Sequence, residues 1–187
     1  MSKLEKQNMV HTTDMSPRNS VQPRLHTSLE IRNAIQENDI WSIKIIESLA
    51  YYGNENDWRS VWGIADALKR EISLLFDDNG SIWVDIGTPG MVRLSPPFGC
   101  QLPLRLWVHT HPWDAYWSAT DQRTLATVSG ILERALVLGH DHLVHTVHTQ
   151  AEPVVEEDCR LSTNGLLMHW SAEEAQTYSL FKEGAIE

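Results

Sequence analysis

Lysine and arginine are scarce, 15 against 25 aspartates and glutamates, and the formal net charge is -10 over 187 residues. A nucleic-acid binder needs cations to neutralise phosphates, so the charge argues against that class, and anionic membrane surfaces are disfavoured on the same ground. Cysteine is nearly absent. Cys100 and Cys159 lie far apart and outside any C-x-x-C pattern, so at most one disulfide can form and no disulfide framework exists; an intracellular setting is expected. No apolar run approaches the roughly 20 residues of a membrane span. The opening MSKLEKQNMVHTTDMSPRNS has no apolar core of the signal-peptide kind. The expectation is a cytoplasmic protein with no membrane segment.

What is present is ordinary globular material. Apolar residues make up 42% of the chain, enough for a real core at this length. Residues 1–26 are polar, with scattered Pro, Ser, Asn and Thr and no period, and read as a flexible tail. One domain is expected over 27–187, with a helical N-terminal extension. TSLE has capping-box form ahead of Ile31 and Ile35. A second helix is expected from Asp39 to Gly53, and a third after Asp57 as N-cap, with Val61, Trp62, Ala65 and Leu68 on one face.

The pattern then changes to short apolar segments. EISLLF and SIWVDI flank DDNG, whose Asn79-Gly80 pair is a strong hairpin signal. MVRL is a further strand candidate, and LRLWVH a strand leading into His109. From Ser118 the spacing predicts a helix with Leu125, Val128, Leu132 and Leu136 on one face, ended by Gly139. HLVHTVHT, and more weakly PVVEE and LLMHW, read as strands; SAEE opens a last helix carrying Tyr178 and Phe181. The fold class is therefore α/β, a mixed sheet flanked by helices.

The informative segment is VHTHPWDAYWSATD, residues 108–121. His109 and His111 are two apart at a strand end, so both imidazoles point the same way. Pro112 stops the strand. Ser118 and Asp121, three apart on a helix start, share a face and can look back at the strand end. Two neutral imidazoles and one carboxylate make a three-ligand site with an open position, the arrangement of a catalytic zinc. Such a site needs a proton acceptor. Glu71, where the third helix gives way to EISLLF, is the best upstream candidate, with Glu47 as its rival.

Glu71, His109, Thr110, His111, Pro112, Ser118 and Asp121 together resemble the JAMM (MPN+) motif of the JAB/Mov34 metallopeptidases, an upstream Glu followed by H-[S/T]-H-P and S-x-x-D. The resemblance spans about residues 57–150, and the order of elements is similar. The six residues between His111 and Ser118 are one fewer than the family usually has. The resemblance implies a JAB/MPN-like curved mixed sheet, with Zn2+ on His109, His111 and Asp121. It implies Glu71 as general base and then acid, and Ser118 as the donor to a tetrahedral oxyanion. The implied reaction is hydrolysis of an amide or isopeptide bond, with a ubiquitin-like protein or its conjugates as partner. An inert MPN-type scaffold is the competing class.

Three further features invite a role. His140, His142, His145 and His148 form a second cluster, a metal buffer on one reading and core-edge histidines on the other. Trp113 and Trp117 flank the metal loop and are candidates for a substrate groove. A peptide tail with small residues is expected to run near Trp83 and Trp107 toward the metal.

Overall fold

The computed structural model describes residues 20–148, 169–171 and 174–181. The PVVEE segment, most of LLMHW and all but the end of the expected tail lie outside the described residues. Order begins before Thr27: Val21 N–H donates to Ile82 O (2.7 Å), Arg24 N–H to Glu47 O (3.2 Å), and Val21 is buried.

Helix α1 (Ser28–Gln36) opens with the expected capping box, Thr27 and Glu30 each bonding the other's backbone N–H. Helix α2 spans Ile43–Asn54. Helix α3 (Trp58–Leu68) is capped by Asp57, which accepts from Ser60 N–H at 3.1 Å. Strands β1 (Ile72–Phe76) and β2 (Ile82–Ile86) form the expected hairpin. Gly80 takes φ 74° at its turn, a conformation that suits glycine. The Asp77 carboxylate accepts from Asn79 and Ser81 N–H.

Strand β3 (Leu106–Thr110) pairs antiparallel with β1. Helix α4 covers Ala119–Val128, much shorter than the expected run to Gly139. Residues 134–138 instead form β4 (Arg134–Leu138), parallel to β3. The physical reason is that Ala135, Leu136, Val137 and Leu138 are all buried, as a strand covered on both faces requires, and such a continuous apolar run mimics a buried helix segment. Strand β5 (His142–Val147) follows as expected, antiparallel to β4.

Two further expectations are corrected. MVRL is not a strand: Thr88 N–H donates to Met91 O (2.9 Å), closing a tight turn instead. The last segment is not a helix carrying Tyr178 and Phe181. Ser171, its expected cap, is spent on β5, accepting from Val147 N–H through its hydroxyl. Gln176–Thr177 then adds strand β6 to the edge of β5.

The chain is thus a mixed α/β fold, with four helices and one six-stranded mixed sheet among the described residues, in the order β2-β1-β3-β4-β5-β6. Ile72, Leu74 and Phe76 of β1 and Leu106 and Val108 of β3 join the core formed with α1, α2 and α3. Leu75 and Trp107, of opposite parity, pack with Leu125 and Val128 of α4 on the other face. A fully buried Leu or Ile contributes about 1.5–3 kcal/mol, so covering both faces makes the middle strands a rigid platform. Among the described residues no helix is long and apolar enough to cross a membrane.

Candidate metal centre

The alternation of β3 directs Trp107 and His109 toward the α4 side, and His111, two residues on, continues that face. Three contacts fix this strand end. Thr110, between the two histidines, accepts Ile72 N–H on its hydroxyl at 2.9 Å. Trp62 Nε1–H donates to His111 O at 2.9 Å, tying β3 to α3. Trp107 stacks on His109. The motif made none of these three roles visible.

Ser118 is the N-cap of α4 and Asp121 its N3 residue; Asp121 N–H donates to Ser118 Oγ (3.2 Å) and Ser118 N–H to Asp121 Oδ2 (2.9 Å). This capping box turns the Asp121 carboxylate back toward the strand. His109 Nε2 lies 3.2 Å from Asp121 Oδ1, and His111 Nε2 lies 3.4 Å from Asp121 Oδ2. One ligand atom from each of the three residues falls within 4.8 Å of the others, and all three residues are buried.

The donor set fits a metal ion. His109 Nδ1 and His111 Nδ1 are buried with no hydrogen-bond partner among the described residues, and Nε2 of each ring faces the Asp121 carboxylate, so three potential ligand groups converge on one point. Burial holds His109 below the usual imidazole range, against Asp121. Burial works to raise Asp121, but hydrogen bonds from His109, His111 and Ser118 outweigh it and hold the carboxyl far below its usual range. A neutral imidazole beside an ionised carboxylate is the state that metal binding needs. Two imidazoles and one carboxylate suit zinc and also other first-row divalent ions.

Beside the triad opens a cleft of about 440 Å³ whose walls include Glu71, Met91, His111, Trp113, Tyr116, Ser118 and Asp121. Glu71 is only 7% exposed. Its backbone continues β1 toward the loop beyond β2, with Glu71 N–H donating to Thr88 O and Gly87 N–H to Glu71 O. Burial raises its carboxyl above the ordinary range; His111 and a Val92 backbone hydrogen bond oppose the rise, and Asp121 adds to it. The rival Glu47 is elsewhere, on α2, 2.7 Å from His26 Nε2. The Ser118 hydroxyl caps the helix as an acceptor, and the residue lines the cleft.

The tryptophans divide. Trp113 lines the cleft at 72% exposure. Trp117 packs instead between core clusters, its ring 6.0 Å from His109. Trp107 is 1% exposed and cannot touch a substrate, and Trp83 borders a separate small crevice with Arg93 and Leu94. Trp107 therefore cannot line the expected tail path, and Trp83 does not line the metal cleft.

The second histidine cluster does not converge. His140 packs edge-on to Trp62, His142 bonds Asp141, His145 faces Phe181, and His148 faces Trp170. Among the described residues only His109, His111 and Asp121 form a metal-capable group. Burial pushes the Cys100 thiol up, with Asp77 adding to it, the opposite of an activated nucleophile. No protein family, curated protein or solved structure matches the chain.

Proposed function

We propose that this protein is a zinc-dependent hydrolase of amide or isopeptide bonds, of the JAMM type, acting at the C-terminal tail of a ubiquitin-like protein. The observation that carries the reading is the buried Glu71 carboxyl in the same cleft wall as His111 and Asp121. A metal store has no use for a further buried carboxyl beside the ligands, whereas a hydrolase needs a proton acceptor there.

His109, His111 and Asp121 would hold the zinc, which would supply Lewis-acid polarisation of a carbonyl and a water of lowered pKa. Glu71 takes a proton from the attacking water and returns it to the leaving amine, a task that favours a carboxyl tuned upward from its ordinary range. The Ser118 hydroxyl donates to the oxyanion that develops on the scissile carbonyl. Trp113 and Tyr116 line the cleft beside the ligands and give a substrate apolar surface to lie against.

The test offers a ubiquitin-like fusion ending in Gly-Gly and another ending in Val-Val. Zinc-dependent cleavage is expected for the first and a much slower rate for the second, since a branched residue meets the cleft wall where glycine fits. Bound zinc with no turnover on any amide would instead make the protein a scaffold.

A further inference from the structure

The six residues that link His111 to Ser118 are seated on the turn between β4 and β5, and one side chain there does more than pack. His140 N–H donates to Trp113 O at 2.7 Å. Ala115 N–H donates to His142 Nε2 at 3.1 Å. The other ring nitrogen, Nδ1, lies 2.6 Å from Asp141 Oδ1. An imidazole that accepts at Nε2 carries its proton on Nδ1, so the Asp141 carboxylate selects the tautomer that the loop requires. The turn also fits the loop closely. A Cβ on Gly139 would stand 2.6 Å from Ala115 N and 2.7 Å from Trp113 O, contacts no real side chain makes. From the other side Tyr178 O–H donates to Gly139 O at 2.6 Å.

What hangs from Ala115 is the metal centre. Ala115 is buried against Val137 and Val144. Next in the chain, Tyr116 sets its ring edge-on to His111 at 4.9 Å, and Trp117 lies against His109. Ser118 and Asp121 follow at once. Loop residues have no ladder of their own to hold them, so a fixed partner for the Ala115 amide decides where that chain runs.

We infer that His142 is a positioning residue for the metal centre: held by Asp141, it accepts the Ala115 amide and so sets the loop by which His111 and the Ser118–Asp121 cap face one another. Part of its effect rests on the hydrolase reading, and part does not.

The experiment measures hydrogen exchange of the Ala115 amide in the full chain, the visible spectrum of the cobalt-substituted protein, and hydrolysis of the Gly-Gly fusion. His142→Leu is expected to keep the metal, speed Ala115 exchange by about tenfold or more, alter the cobalt spectrum and lower kcat by about ten- to a hundredfold. His142→Gln places an amide oxygen near the Nε2 position and is expected to restore all three. Exchange at Leu138 in the neighbouring strand is the control for folding. If His142→Leu does not fold, Asp141→Ala serves, since it frees the imidazole to turn and is expected to speed Ala115 exchange. Unchanged Ala115 exchange with an unchanged cobalt spectrum, or a Gln variant that behaves like Leu, overturns the inference. If the wild type cleaves no amide, the hydrolase reading fails, while exchange and the cobalt spectrum still decide the role of His142.

Discussion

The indole of Trp107 lies flat on the imidazole of His109, with ring centroids 4.3 Å apart and planes 17° apart. Metal-binding histidines are ordinarily oriented by a carboxylate or carbonyl on their other ring nitrogen. Here Nδ1 makes no such bond among the described residues, and the stacked ring, itself anchored by Nε1–H donating to Ser73 Oγ at 2.9 Å, sets the ring plane instead. Trp107→Leu is expected to weaken zinc binding by about 10- to 100-fold, the usual effect of losing an orienting partner, and Trp107→Phe by less. Competition against a chelator of known affinity measures both. Equal affinity in Leu and wild type would show that the stack is packing alone.

The purified protein is expected to hold about one zinc, with ligand bonds of about 2.0–2.2 Å. His109→Ala and His111→Ala are each expected to lose it. Elemental analysis decides the matter, and undiminished zinc in the double variant would place the metal elsewhere.

Glu71→Gln is expected to retain zinc and lower hydrolysis by about 10²- to 10⁴-fold, the contribution of a general base. Glu47→Gln should leave the rate unchanged, because its carboxylate, on α2, pairs with His26 away from the cleft.

The same Glu71 variant has a signature in the metal-free protein. The folded-state pKa of Glu71 is raised above 4.5, so the folded form keeps its proton longer than the unfolded one. Its stability is fully present below the unfolded value and falls as pH rises through the folded value. Glu71→Gln should therefore match the wild type in acid and become the more stable of the two above that window. Urea melts across pH test this; a constant difference would mean that burial does not disfavour the charged carboxylate.

Ser118 caps α4, and on the proposed reading its hydroxyl also donates to the oxyanion. Ser118→Ala removes the cap of α4 and should cost about 1 kcal/mol of stability. Ser118→Asp can cap the helix equally well but has no hydroxyl proton, so stability is expected to recover while hydrolysis stays low. Full hydrolysis in the Ala variant would reduce Ser118 to a cap.

The candidate metal ligands were legible because local geometry orients each of them. A strand of period 2 aligns His109 with His111, and a capping box returns Asp121 toward the strand end, each within a few residues of chain. The Thr27 and Asp57 caps and the Asn79-Gly80 hairpin were legible for the same reason.

Where neighbours in space decide, the residues were ambiguous. ALVL at 135–138 fits a helix face or a buried strand equally, and parallel pairing with β3 settled it. Gln176 and Thr177 became a strand because the edge of β5 was there to pair with. The raised proton affinity of Glu71, the Trp107 stack and the His142 brace depend on burial and on contacts between distant parts of the chain. Residue types and spacing therefore determined which atoms can bind a metal. Only tertiary packing decided which carboxyl stands in the cleft and what holds the imidazoles in place, because desolvation and ring orientation are properties of the surroundings.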